Sequence, residues 1–234
     1  MKRFTYCLLL ATGLLLQAHT IYSQWGSTAE IKQSVFKFAR KTEGLYNGPE
    51  YEPHPVIFSE GHPFFDKPEM QFGTIAYDGH VYDSVRLMID LVKDELLLQH
   101  YNGYSRIQLL KEKVDSFSIG TQRFRNIRPQ SIAGMNPGYY QVLHSGAISL
   151  YQRLRKTYQT YYRGSMSGVD VFQDIDHYLV KNNGVMHFKN KKSFLKIIGA
   201  AQAIDQRLKA NQISYRKTPG YYMQQALILN EESK

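Results

Sequence analysis

The chain has 234 residues, 43% hydrophobic and 21% charged, with a formal net charge of +9 and one cysteine. That length can bury a substantial core as one domain without disulfide staples. One cysteine excludes an intrachain disulfide, and because it is Cys7, inside the leader described next, it also excludes a thiol nucleophile in the remainder.

Lys2 and Arg3, the apolar run from Leu8 to Leu16 and the polar exit at Ser23 and Gln24 predict a secretory signal peptide over residues 1–24. Cys7 precedes the apolar run, so it is not placed as a lipoprotein cysteine. Removal of Lys2 and Arg3 with the leader leaves 27 basic against 20 acidic residues, a net charge of +7 over 210 residues. No later stretch approaches the roughly 20 apolar residues that a spanning helix needs, so no transmembrane segment is expected in the mature chain. The expected location is periplasmic, outer-membrane-associated or extracellular, which makes nucleic acid an unsuitable partner for the basic excess.

In the remaining 25–234, read as a single domain, Ser27-Thr28-Ala29-Glu30 has capping-box spacing and predicts a first helix over about 28–41. Asn47-Gly48-Pro49 ends it. Pro49, Pro53, Pro55, Pro63 and Pro68 then exclude regular helix, leaving short edge strands at Val56–Ser59 and Pro63–Phe65. Phe72–Tyr77 is β-type, and Asp78-Gly79 is the pair that populates the positive φ angles of a tight hairpin. The return strand is read with Val81, Asp83, Val85, Leu87, Ile89 and Leu91 on one face and His80, Tyr82, Ser84, Arg86, Met88 and Asp90 on the other. Turns at Lys93-Asp94-Glu95 and Asn102-Gly103 continue the meander through Leu96–His100 and Arg106–Leu110.

Val114–Ile119 and Gln122–Ile127 read as a further strand pair. Tyr139–Leu143 and the long run Ala147–Tyr162 form a second hairpin, with Ile148, Leu150, Leu154, Tyr158 and Tyr162 on one face and Tyr151, Arg153, Arg155 and Thr157 on the other. Gly164–Gly168 is expected as a loop, and Asp176–Val180 pairs with Val185–Phe188. The period then changes. Phe194, Ile197 and Ile198 suit a helix ending near Gly199, Ile204 and Leu208 a second, and Thr218 with Pro219 the N-cap and first residue of a third. The segment from about 190 to 234 is therefore expected to be helical.

No histidine lies in a zinc-binding spacing, and in a strand Asp174 and Asp176 face away from His177, so no metal site and no cofactor is expected. Serine-elbow and phosphate-loop motifs are absent. Glu60, His62 and Asp66 in the proline-rich loop give a carboxylate and histidine alternative for a hydrolase, although no catalytic residue is assigned. The remaining signals are the tyrosine-rich long hairpin and the thirteen Lys and Arg between Arg153 and Lys217, opposed by Asp170, Asp174, Asp176 and Asp205. They point to Tyr151, Arg153, Arg155 and Tyr161 as binding residues for a partner protein, a glycan or an anionic membrane surface.

Leu45-Tyr46-Asn47-Gly48, Gly73–Gly79, Gly138–Leu143 and Leu150–Arg153 resemble a family of secreted, β-rich proteins of Bacteroidota-type gram-negative bacteria, a family with no activity to carry over. The resemblance implies export and a β-rich fold. The expected architecture is α+β and mainly antiparallel β, a meander forming a sandwich or open barrel with an N-terminal helix and a helical C-terminal segment. The expected function is non-enzymatic binding in the cell envelope. A carrier holding an apolar ligand such as a lipid in a β-sheet cavity is the alternative, alongside the hydrolase.

Overall fold

A computed structural model describes residues 32–33, 44–164, 166–182, 184–199 and 201–232. The chain divides into two compact units, Met1–Leu45 and Tyr46–Lys234. The expected leader and first helix lie outside the described residues, apart from Lys32 and Gln33, which are helical.

The second unit is built on a sheet of ten strands among the described residues: β1 (Gln71–Tyr77), β2 (His80–Asp90), β3 (Glu95–Gln99), β4 (Arg106–Gln108), β5 (Val114–Ile119), β6 (Gln122–Ile127), β7 (Gly138–His144), β8 (Ser149–Arg163), β9 (Met166–Lys181) and β10 (Gly184–Phe188). Their spatial order is β10-β9-β8-β7-β6-β5-β1-β2-β3-β4, and every neighbour is antiparallel. Mainly antiparallel β with helices at the C-terminal end is as expected, and one continuous sheet replaces two stacked ones. The Asp78-Gly79 turn has φ of 50° and 74°, the left-handed values that a tight hairpin turn needs.

Two readings of strand geometry are corrected. Gly73 pairs with Val85 but Ile75 pairs with Tyr82, so Asp83 and Ser84 together oppose Thr74, and Ser84 has φ of 57°. This bulge inverts the alternation. Tyr82 is buried with Ile75 while Val81 is 55% exposed, so the apolar face of β2 runs as expected only from Val85 onward. The loop placed at Gly164–Gly168 is also shorter, because β9 begins at Met166 and pairs along the full length of β8 from Arg163↔Met166 to Ser149↔Val180.

Tyr82, Ile75, Phe117, Phe124, Gln141, Gln152 and His177 are successive cross-strand partners and define one row on the inner face. The row is apolar as far as Phe124 and polar beyond it. The sheet is curved enough for the far end of β2 to meet β8, where Lys156 N donates to the Leu91 carbonyl at 3.0 Å.

The proline-rich segment 49–70 is an arm that crosses this junction. It bonds β4 through Tyr51 N to Arg106 O, the end of β2 through Leu91 N to Pro63 O and Phe65 N to Ile89 O, and the edge of β9 through Ser59 N to Val169 O. The edge strands expected there are single bridges, Glu60↔Asp170 and Phe64↔Asp90. Lys156 Nζ donates to the carbonyls of His62 and Phe64 at 2.9 and 2.7 Å.

At the opposite end of β8 and β9 the inner face is covered by helices α1 (Lys191–Ile198), α2 (Ala201–Ala210) and α3 (Pro219–Glu232). Leu150, Leu179, Phe188, Phe194, Leu208 and Met223 share that core. Asn190 caps α1 by accepting from Ser193 N, and Gly199 ends it at φ of 80°. Pro219 opens α3 as expected, with the Thr218 carbonyl accepting from Tyr222 N at 2.9 Å and the Thr218 hydroxyl donating back to the Ser214 carbonyl. No helix among the described residues is long and apolar enough to cross a membrane.

Candidate functional site

The residues expected to bind a partner all lie on the outer face of β8, and the fold engages each of them. Tyr151 is 5% exposed, packed with Ile127, Met135, Tyr140 and Tyr178 beneath the 128–137 segment. Arg153 donates to the Pro137 carbonyl at 3.0 Å and lies over the Tyr140 ring, 5.3 Å from its centroid. Arg155 pairs with Asp176 Oδ2 at 2.7 Å, while His187 Nε2 meets the other carboxylate oxygen at 2.8 Å. Burial would raise the Asp176 carboxyl, but His187 and the Arg155 charge hold it below its usual range. Tyr161 faces Gly168, where a Cβ would lie 2.5 Å from the tyrosine oxygen. Asp176 and His177 point to opposite faces as expected, and no cluster of three metal-ligating side chains occurs among the described residues.

A different cluster occupies the inner face. Gln122, Gln141, Gln152 and His177 come from β6, β7, β8 and β9 and are joined by hydrogen bonds along the polar half of the row. Gln141 Nε2 donates to Gln122 Oε1 at 2.5 Å, and Gln152 Nε2 to Gln141 Oε1 at 3.4 Å. The amide oxygen Gln152 Oε1 can only accept, so the 3.2 Å contact from His177 Nε2 places the ring proton on that nitrogen.

The relay therefore runs in one direction. His177 Nδ1 is left as a buried acceptor with no partner among the described residues. Burial pushes the His177 pKa down to about 4, with His187 adding to the lowering and Asp176 opposing it. The ring is only 5% exposed and lies parallel to Phe188 at 5.3 Å.

These four side chains floor a cleft of about 810 Å³ between the sheet and the start of α3. Its wall carries Tyr215, Arg216, Tyr221 and Gln224, and Lys189 stands at the β10–α1 connection. Tyr215 is fixed by an edge-on contact with Tyr222 at 5.5 Å, whereas Tyr221 is 51% exposed. The cleft has dimensions typical of small-ligand sites, rigid polar groups on its floor and aromatic rings on its wall.

Sequence reasoning missed this site, although a signal was there. Gln141 interrupts Tyr139 and Leu143, Gln152 interrupts Leu150 and Leu154, and His177 interrupts Ile175 and Leu179, each a single polar residue in an apolar alternation. The three positions converge only once the strand register is known.

The remaining polar hub serves the fold. Asp90 has no exposure and accepts from the Tyr51 hydroxyl at 2.8 Å, His54 Nε2 at 2.7 Å, Val92 N at 2.8 Å and Lys93 N at 3.0 Å. It ties the arm and the β2–β3 turn to the sheet. Glu60 and Asp66 are exposed, His62 stacks on Phe64, and none of the three lines the cleft. No family model matches the chain, and neither the curated proteins nor the solved structures contain a significant match.

Proposed function

We propose that this chain is an exported, non-enzymatic binding protein of the gram-negative cell envelope, with a glycan as ligand in the amide-floored cleft. The observation carrying this reading is the one-directional relay from His177 through Gln152 and Gln141 to Gln122, a row of side-chain amides lining the cleft. Sugar hydroxyls both donate and accept, so a polyhydroxylated ligand satisfies such a floor better than an apolar one. Tyr215 and Tyr221 offer ring faces and hydroxyls, the combination that suits the mixed surface of a sugar.

No carboxylate lines the cleft, which leaves it without the acid and base pair of a glycosidase. A lipid carrier needs an empty apolar cavity of about 300 Å³ or more. In the curved part of the sheet Ile75, Phe117, Phe124 and Tyr139 are buried, with Phe117 stacked on Phe124 and edge-on to Tyr139. The cleft of about 560 Å³ that Phe117 and Phe124 line also carries Asp115, Arg123 and Arg125, which an apolar ligand does not satisfy.

Export is supported by the leader pattern of residues 1–24. The test is a glycan array followed by calorimetry on the protein without those residues. Tyr221→Ala, at an exposed wall position, and Gln152→Leu, which breaks the relay on both sides, are each expected to weaken binding about tenfold, the effect of one good polar or stacking contact. Failure to bind any glycan, or unchanged affinity in both variants, would overturn the assignment.

A further inference from the structure

The cleft carries charge of one sign only. Its floor is neutral, its lining holds no Asp or Glu, and its two charged residues are Lys189 and Arg216. Two neighbouring lysines of the helical cap are committed to one carboxylate, while Lys192, Lys196, Arg207 and Lys217 lie outside the cleft lining. Lys191 and Lys209 pair with Asp205 at 2.5 and 3.1 Å, and on the outer face Arg155 pairs with Asp176 at 2.7 Å. Burial would raise the Asp205 carboxyl, but the hydrogen bonds from Lys191, Tyr222 and Lys209 carry it down to about 2, so it stays ionised and committed to those partners. Lys189 and Arg216 are both exposed and neither makes an ion pair among the described residues.

Resting on the glycan reading above, we infer that the ligand is an anionic glycan whose acid group is held by Arg216 and Lys189 while its hydroxyls lie on the glutamine floor. Three features support the inference. A guanidinium presents parallel N–H donors that match the two oxygens of a carboxylate or the face of a sulfate. An ammonium on a flexible stem adds charge without a geometric demand. The two line the same cleft on separate connections, β10 to α1 and α2 to α3, so both contribute positive potential to an acid group bound there. The absence of any lining carboxylate removes the repulsion that would otherwise oppose such a ligand.

The experiment compares the protein without residues 1–24 against oligogalacturonate, heparin-derived hexasaccharide, and neutral malto- and cello-hexaose by calorimetry at 50 and 500 mM salt. The expected result is that an acidic hexasaccharide binds at least tenfold more tightly than the neutral ones at low salt, and that this preference shrinks at high salt. Arg216→Ala combined with Lys189→Ala is expected to abolish the preference while leaving the weaker neutral binding intact. Preference for oligogalacturonate marks a carboxylate as the acid group and preference for heparin a sulfate, and either supports the inference. Equal binding of acidic and neutral chains, unaffected by the double variant, overturns the inference and leaves the glycan reading standing. Absence of binding to both sets overturns the glycan reading and the inference with it.

Discussion

Replacing Asp90 with alanine is expected to cost about 3–5 kcal/mol of folding stability, because it removes the acceptor from a fully buried polar hub. Two of the four donors it serves, the Tyr51 hydroxyl and His54 Nε2, have nowhere else to turn, since the His54 side chain is 4% exposed. Each such orphan costs about 1–3 kcal/mol. The backbone donors of Val92 and Lys93 lie in a turn, can recover water, and add about 0.5 kcal/mol each. Burial first, and then the hydrogen bond to Asp90, raise the Tyr51 hydroxyl above its ordinary range, so it remains a donor at any working pH.

For a domain of this size each kcal/mol moves Tm by about 2–4 °C, so the expected fall is about 10 °C. Urea unfolding should show a lower midpoint at unchanged m. Asp115→Ala is the control: its partner Arg128 is at 2.5 Å and both side chains are half-exposed, so the loss there is expected to stay below about 1 kcal/mol. Asp90→Asn should fall between the two, because the retained oxygen can still serve the turn amides. If Asp90→Ala costs no more than Asp115→Ala, the reasoning that the hub fastens the arm is wrong.

His177 supplies a pH dependence. Its folded pKa is about 4, against about 6.5 when unfolded, so between those values the unfolded chain binds more protons and stability falls as pH drops. The loss should reach at most about 3 kcal/mol by pH 4 and be flattened by His177→Gln, and equal urea midpoints for the wild type at pH 4.5 and 7 would count against it. Arg153→Ala is expected to cost about 1 kcal/mol and to speed proteolysis within 128–137, since Arg153 holds the Pro137 carbonyl; an unchanged digestion rate would show that the segment stays down without it. Gly73→Ala should destabilise by about 2 kcal/mol or more, because a Cβ there would lie 1.9 Å from the Ser118 carbonyl oxygen; a midpoint equal to wild type would refute this.

Much of the strand order was legible because it rests on local chemistry. Asp78-Gly79 forces a turn, the alternation of Tyr151, Arg153 and Arg155 against Leu150 and Leu154 assigns faces correctly, and the shift to helical spacing after Phe188 marks the cap. Local patterns failed where distant contacts decide. The bulge at Ser84 is imposed by pairing with β1, and nothing in the residues around it announces that Tyr82 instead of Val81 turns inward. The amino end of β9 reads as loop over Gly164–Gly168 because the stretch holds two glycines and two serines, yet Met166 to Gly168 continue the pairing with β8. The cleft was hidden for the same reason, since its floor is a property of register across four strands. Arg153 and Arg155 drew attention as charges, but whether a charge is free depends on partners that local sequence does not reveal.

The pairing of the arm along β9 bears on how the chain reaches its native state. Between β10, which covers residues 177–181, and the arm at 168–171, the edge of β9 carries the exposed side chains Phe172 and Ile175. The bond from Val169 N to Ser59 Oγ joins residues 110 apart in sequence, whereas β8 and β9 are joined by a short turn, so the hairpin is expected to form before the arm closes over its edge. Until then the part of β9 that β10 does not cover, Met166–Asp176, presents a strand edge open to a second chain, the situation in which edge-to-edge association starts. The proline-rich arm, itself unable to form a regular strand, thus covers part of an edge that would otherwise be open to pairing with another molecule.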